Sequence, residues 1–160
     1  MTKQKPIILS ALLVACSPGM SDFSEDIGDT DYQFNRTSSS SMSISAKQDA
    51  KCKNNCAHIP SKVIHYLYNN HVIAIKRQVI NLYKCKESHV TFEITSNIVF
   101  NYILLSENKV FGPYKEIEFE DIMNKNNEIF SGVAYSELVD NGVIMSSPRK
   151  LQNCTSPKLL

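Results

Sequence analysis

Apolar and polar positions divide this chain into three stretches. Residues 6–15 are mostly apolar, residues 17–50 are polar and rich in serine and aspartate, and from residue 61 onward apolar residues recur at alternate positions. Alternation with a period of two sets apolar side chains on one face of an extended strand, so the last stretch predicts β structure. Val63, Ile64, Tyr66, Leu67 and Tyr68 precede Asn69-Asn70, and Val72, Ile73 and Ile75 follow, which predicts a hairpin turning at the two asparagines. Residues 79–85 predict a further strand, with Ile80 and Leu82 on one face and Val79, Tyr83 and Cys85 on the other. Val90, Phe92 and Ile94 then alternate with Thr91, Glu93 and Thr95. Residues 98–105, apolar apart from Asn101 and rich in β-branched and aromatic side chains, predict the central strand.

Beyond residue 105 the pattern continues more weakly. Phe111-Gly112-Pro113-Tyr114 predicts a turn, and a strand follows with Ile117 and Phe119 facing in and Glu116, Glu118 and Glu120 facing out. Residues 121–127 fit a short helix or an irregular loop. Two more strands are expected over 128–138, broken at Gly132, and over 142–145, before Pro148. The expected class is mainly β, a small antiparallel meander of six to eight strands forming a barrel or a strongly bent sheet behind a disordered tether. The divisions are a leader over 1–15, a polar tether over 16–50 and a β domain over 51–160. The tether follows from composition, because a run holding Ser38 to Ser41 and five nearby aspartates and glutamates buries too little apolar surface to offset ordering. Tyr32 and Phe34 supply the alternative there, a strip that meets a partner.

The leader has its own chemistry. Lys3 and Lys5 precede the apolar run, which ends on the small Ala15 before Cys16. A basic start, an apolar middle and a small residue before a cut are the parts of a secretory signal. A bilayer span takes about 20 apolar residues, so a transmembrane anchor is not expected. The bland alternatives are an ordinary cleaved signal and a short buried helix. Leu13-Val14-Ala15-Cys16 resembles the lipobox of bacterial lipoprotein precursors, over residues 1–17. That resemblance implies that Cys16 becomes the first residue of the mature chain and carries acyl chains such as palmitate, an attachment to the membrane that several chains make lasting. Ser17, in place of an aspartate, implies delivery to the outer membrane.

Charge supports export of a small domain rather than nucleic-acid binding. The formal charge of +1 becomes −1 when a cut before Cys16 removes Lys3 and Lys5. Charge is unevenly spread: residues 47–86 carry a local balance of +7, and residues 107–140 one of −5. Such a bipolar surface keeps a protein soluble or steers a charged partner. For the basic half, the partners within an envelope are lipopolysaccharide, peptidoglycan or an acidic protein face.

Cysteine use fits the same compartment. With Cys16 set aside, Cys52, Cys56, Cys85 and Cys154 remain, an even number that predicts two disulfides in an oxidising environment. Three pairings are open. The preferred one joins Cys85 at a strand end to Cys154 near the C-terminus and leaves Cys52 with Cys56. Cys52, Cys56, His58 and His65 form the competing zinc set, but their spacing matches no standard motif, so neither metal nor cofactor is expected. His71 and His89 read as surface or packed histidines. No G-x-S-x-G elbow, H-E-x-x-H helix or phosphate-cradling glycine loop is present, and catalysis is not expected.

Two envelope families resemble parts of this sequence. Tyr83-Lys84-Cys85, Ser131-Gly132-Val133-Ala134-Tyr135 and the late Cys154 resemble the periplasmic and membrane-bound lysozyme inhibitors. That resemblance implies that Ser131 and Tyr135 belong to a loop that plugs the lysozyme cleft. Residues 77–85 and the closing Leu151-Gln152-Asn153-Cys154 resemble the surface-adhesin protein E type, which implies a binder of host proteins or matrix. A third class is an immunity or entry-exclusion lipoprotein carried on a plasmid or other mobile element. The common expectation is a lipid-anchored protein that acts by binding a protein or envelope partner.

Overall fold

The computed structural model describes residues 22–38, 41–52, 55–60, 62–85, 90–144 and 154–159. The lipobox and Cys16 lie outside the described residues. The chain is mainly β, in two antiparallel sheets that do not close into a barrel. The smaller sheet holds β1 (Phe23–Asp26), β2 (Tyr32–Arg36) and β3 (Met42–Ala46) in sequence order. The larger runs β4 (Val63–Tyr68), β5 (Val72–Cys85), β6 (Val90–Leu104), β7 (Lys109–Tyr114), with β8 (Cys154–Leu159) added to β5. Two helices, α1 (Glu116–Lys125) and α2 (Tyr135–Asp140), follow β7.

The long β5–β6 hairpin is the spine. β5 is 14 residues long and β6 is 15, so each takes in two of the segments that alternation had separated. A register shift between Gln78 and Ile80 marks the seam, with Gln78 opposite Ile98 and Ile80 opposite Ile94. β4 pairs with the first half of β5 and β8 with the second, along the same edge. The β4–β5 turn falls at Asn69-Asn70, where the sequence sets it.

Both faces of the spine are buried, which explains the unbroken apolar run over 72–75. Ile73, Ile75 and Ile103 pack with Ile27, Tyr32, Ile44, Ile59 and Val63 toward the smaller sheet. Val72, Ala74 and Phe100 pack with Phe119, Met123, Phe130 and Leu138 toward the helices. On the helical side, Tyr102 stacks on Phe111 with centroids 4.8 Å apart, and Phe100 on Phe119 at 5.3 Å. Such ring pairs contribute about 1 kcal/mol each beyond the area they bury.

Several expectations need correction. Much of the predicted tether over 16–50 is the smaller sheet, because Tyr32, Ile44 and the turn residue Ile27 bury completely against the spine. Three well-seated side chains suffice there, since the large sheet supplies the rest of that core. The strand expected around Glu116 to Glu120 is the first half of α1. Phe119, Ile122 and Met123 stand at helical spacing on its packed side, and Ile117 is 76% exposed. Glu116 and Glu118 lie at the positive end of the helix, and the Lys115 N–H donates to Glu118 Oε2 at 2.9 Å. The strand expected over 128–138 is a run of turns leading into α2, held by Phe130, Val133 and Leu138 in the same core. Residues 141–144 form no strand. The turn expected at Phe111-Gly112-Pro113-Tyr114 lies inside β7.

The basic stretch over 47–86 is less superficial than its sequence implies, since Lys62, Lys76 and Arg77 are buried. Lys76 reaches the C-terminal end of α2, where its Nζ donates to the carbonyls of Val139 and, at 3.0 Å, Asn141. A cation at that end meets the free carbonyls and the negative pole of the helix. Lys62 Nζ has no hydrogen-bond partner among the described residues. Burial, and then the Arg36 charge, lowers its pKa from the ordinary lysine value.

Candidate functional site

Three turns meet at one end of the spine and enclose a cleft of about 510 Å³. They are the β1–β2 turn over 28–31, the β4–β5 turn with Tyr68, Asn69 and Asn70, and the β6–β7 turn with Leu105 and Asn108; Lys51 closes one side. A cleft of that size lies within the range of about 300 to 1,000 Å³ common for small-molecule sites.

Each turn is fixed by its own residues. In the first, Thr30 Oγ1 donates to the Ile27 carbonyl at 2.7 Å and accepts from the Tyr32 N–H at 3.2 Å. Asp31 accepts the Lys51 N–H at 3.0 Å, which draws the start of the β3–β4 connection to the rim. In the second, Asn69 Oδ1 accepts the N–H groups of His71 and Val72 at 2.7 and 2.9 Å. Its Nδ2 donates to the carbonyls of Ile129 and Ser131, both at 2.8 Å. In the third, Asn108 adopts the left-handed conformation with φ of 53°, which asparagine tolerates better than most residues.

Bonds between turns hold the cleft open at a set width. The Leu105 N–H donates to the His71 carbonyl at 2.9 Å. Tyr32, fully buried, donates its hydroxyl to Asn108 Oδ1 at 3.3 Å and accepts the Ala57 N–H at 3.1 Å. Burial pushes the Tyr32 hydroxyl pKa up, and the nearby Asp31 charge adds to the shift. Tyr68 lies across Gly28, with φ of +52°; a Cβ there would stand 2.5 Å from Tyr68 Cε2. Only glycine admits both that backbone and that approach. The ring is left 48% exposed over the cleft.

The residues singled out by sequence lie elsewhere. Ser131 is exposed in the turns before α2 and, among the described residues, is tied to Asn69 through its carbonyl. Tyr135 opens α2, half-buried, with its hydroxyl 3.5 Å from Glu116 Oε1. Burial, followed by Glu116 and Glu120, pushes that hydroxyl up to about 12, so it stays a neutral donor. Cys52 and Cys56 are joined by a disulfide, which takes two of the four proposed zinc ligands. Register sets Cys85 directly opposite Cys154 at the end of β5. Among the described residues, no group of three or more His, Cys, Asp or Glu could hold a metal ion. His89 lies outside the described residues.

The cleft itself is the feature sequence reasoning missed. Its lining comes from segments about 80 residues apart, and its local signs are Gly28 between Ile27 and Asp29 and the asparagines at the other two turns. No family model, curated protein or solved structure matches this chain.

Proposed function

We propose that this protein is a lipid-anchored bacterial envelope protein that acts by binding, with the three-turn cleft as its recognition face. The observation that carries the binding role is the pair of hydrogen bonds that join the turns of the cleft. Leu105 to His71 and Tyr32 to Asn108 fix the relative positions of three turns before any ligand arrives, so little ordering is left to oppose association. The anchor rests on the leader, the small Ala15 and Cys16, and acylation there keeps the domain at a membrane surface.

The test follows the protein in cells. Wild type and Cys16→Ser are fractionated and their intact masses measured, with a photo-crosslinking amino acid in place of Asn70 or, separately, Ser131. Expected are a membrane-bound mass that starts at Cys16 and carries acyl chains, its release in Cys16→Ser, and an adduct from the position of Asn70. A full-length, unacylated chain in the cytosolic fraction overturns the anchor. An adduct from the position of Ser131 and none from Asn70 moves the binding face to the turns before α2, as the lysozyme-inhibitor resemblance implies.

A further inference from the structure

We infer that the cleft takes a neutral saccharide, with a sugar ring against the exposed face of Tyr68 and its hydroxyls on the polar turn residues. The inference rests on the reading of the cleft as the binding face and adds the class of ligand.

The lining separates groups already committed to the chain from those left for a ligand. Asn69 uses both ends of its amide, and Thr30 its one donor and one of its two acceptor sites, on neighbouring backbone. Among the described residues, Asp29, Asn70, the Lys51 ammonium and the second oxygen of Asp31 keep capacity for a ligand. These offer acceptors and donors side by side. A sugar hydroxyl donates once and accepts twice, so it needs both kinds within reach. An ion needs one sign of charge, and the lining carries Lys51 as well as two carboxylates.

Tyr68 supplies the apolar half of the match. Its ring lies close over Gly28, where the missing Cβ leaves room for it. A flat, half-exposed aromatic body beside planar carboxylate and amide groups suits a ring that is apolar on its faces and polar at its edge. A cationic side chain is the nearest competitor, since an ammonium also settles on an aromatic face, but it has no acceptor for the amide N–H groups and is repelled by Lys51.

The test uses detergent-extracted full chain titrated with N,N′-diacetylchitobiose, maltose and trilysine, with binding read by calorimetry and tyrosine fluorescence. Expected is saturable binding of at least one disaccharide, insensitive to salt. Tyr68→Ala weakens it about tenfold, the scale of one lost ring contact and its buried area, and Asn70→Ala weakens it without a change in melting temperature. Tyr68→Phe retains binding. Salt-sensitive binding of trilysine with none of either disaccharide overturns the inference in favour of a cationic ligand. No saturation by either disaccharide up to about 10 mM, where a millimolar site is mostly filled, also overturns it. An adduct from the position of Asn70 in cells, with no disaccharide binding, removes the saccharide and leaves the binding face standing.

Discussion

The side-chain amide of Asn69 donates to the carbonyl of Ser131 at 2.8 Å and ties the β4–β5 turn to the chain leading into α2. The same side chain bonds Ile129, His71 and Val72. Asn69→Ala removes all four bonds. At about 1 kcal/mol net for each bond lost at a partly exposed site, with water taking up some of the freed groups, the expected loss is about 2 to 3 kcal/mol. Urea unfolding checks this. Asn69→Asp keeps the Oδ1 bonds but turns an oxygen toward the two carbonyls, so it is expected to be no better than the alanine variant.

Lys62 is fully buried, and its Nζ has no hydrogen-bond partner among the described residues. Holding a cation in that setting works against folding. Lys62→Met keeps the aliphatic volume and is expected to raise stability by about 1 kcal/mol or more. A lower urea midpoint in the methionine variant would show that the ammonium is stabilised where it sits. Because the folded pKa lies below the ordinary 10.5, the unfolded chain holds more protons between the two values. Wild-type stability therefore rises with pH in that window, and the Lys62 share of the rise disappears in Lys62→Met.

His65 gives a second pH dependence, in the acid range. Burial lowers its pKa from 6.5, Glu137 on α2 opposes the shift, and Lys76 on β5 adds to it. The folded state thus prefers neutral imidazole. Stability from this group is fully present above pH 6.5, is lost as pH falls toward the lowered value and is constant below it. Urea midpoints measured between about pH 5 and 8 should fall on the acid side for wild type and fall less for His65→Gln.

Cys85 and Cys154 are directly opposed on antiparallel strands. Opposed residues there have Cα atoms about 4.5 to 5.5 Å apart, inside the span a disulfide bridges. Peptide mapping without reduction is expected to recover the two joined. Their reduction should cost about 4 kcal/mol in the chain-entropy account, far more than opening the local Cys52–Cys56 ring. Recovery of Cys85 joined to Cys52 or Cys56 would refute the pairing.

Legibility in the sequence followed the density of the apolar signal. The β4–β5 hairpin was plain because eight apolar residues flank two asparagines that turn the chain. The smaller sheet was hidden because serines separate the few side chains that seat it, and composition over 17–50 outweighs Tyr32 and Ile44. At α1 the segment Glu116 to Glu120 alternates as a strand would. The helix shows only in the spacing of Phe119 to Ile122 and Met123, and tertiary packing on Phe100 and Tyr102 decides between them. Gly28 and the turn asparagines mark three separate turns in the sequence, but nothing local says that they meet, since that depends on the spine. Ser131 and Tyr135 stood out by motif, yet the bonds that shape the cleft reach only the Ser131 backbone.

The doubly buried spine also sets an order of events. β1, β2 and β3 leave the ribosome first, but Ile27, Tyr32 and Ile44 pack on Ile73, Ile75 and Ile103, which are made later. Until β5 and β6 have paired, the early strands have no surface to settle on, and closing contacts across so much chain is slow. The N-terminal strands therefore wait on the middle of the chain, and the domain completes itself only after β5 and β6 have been made and paired.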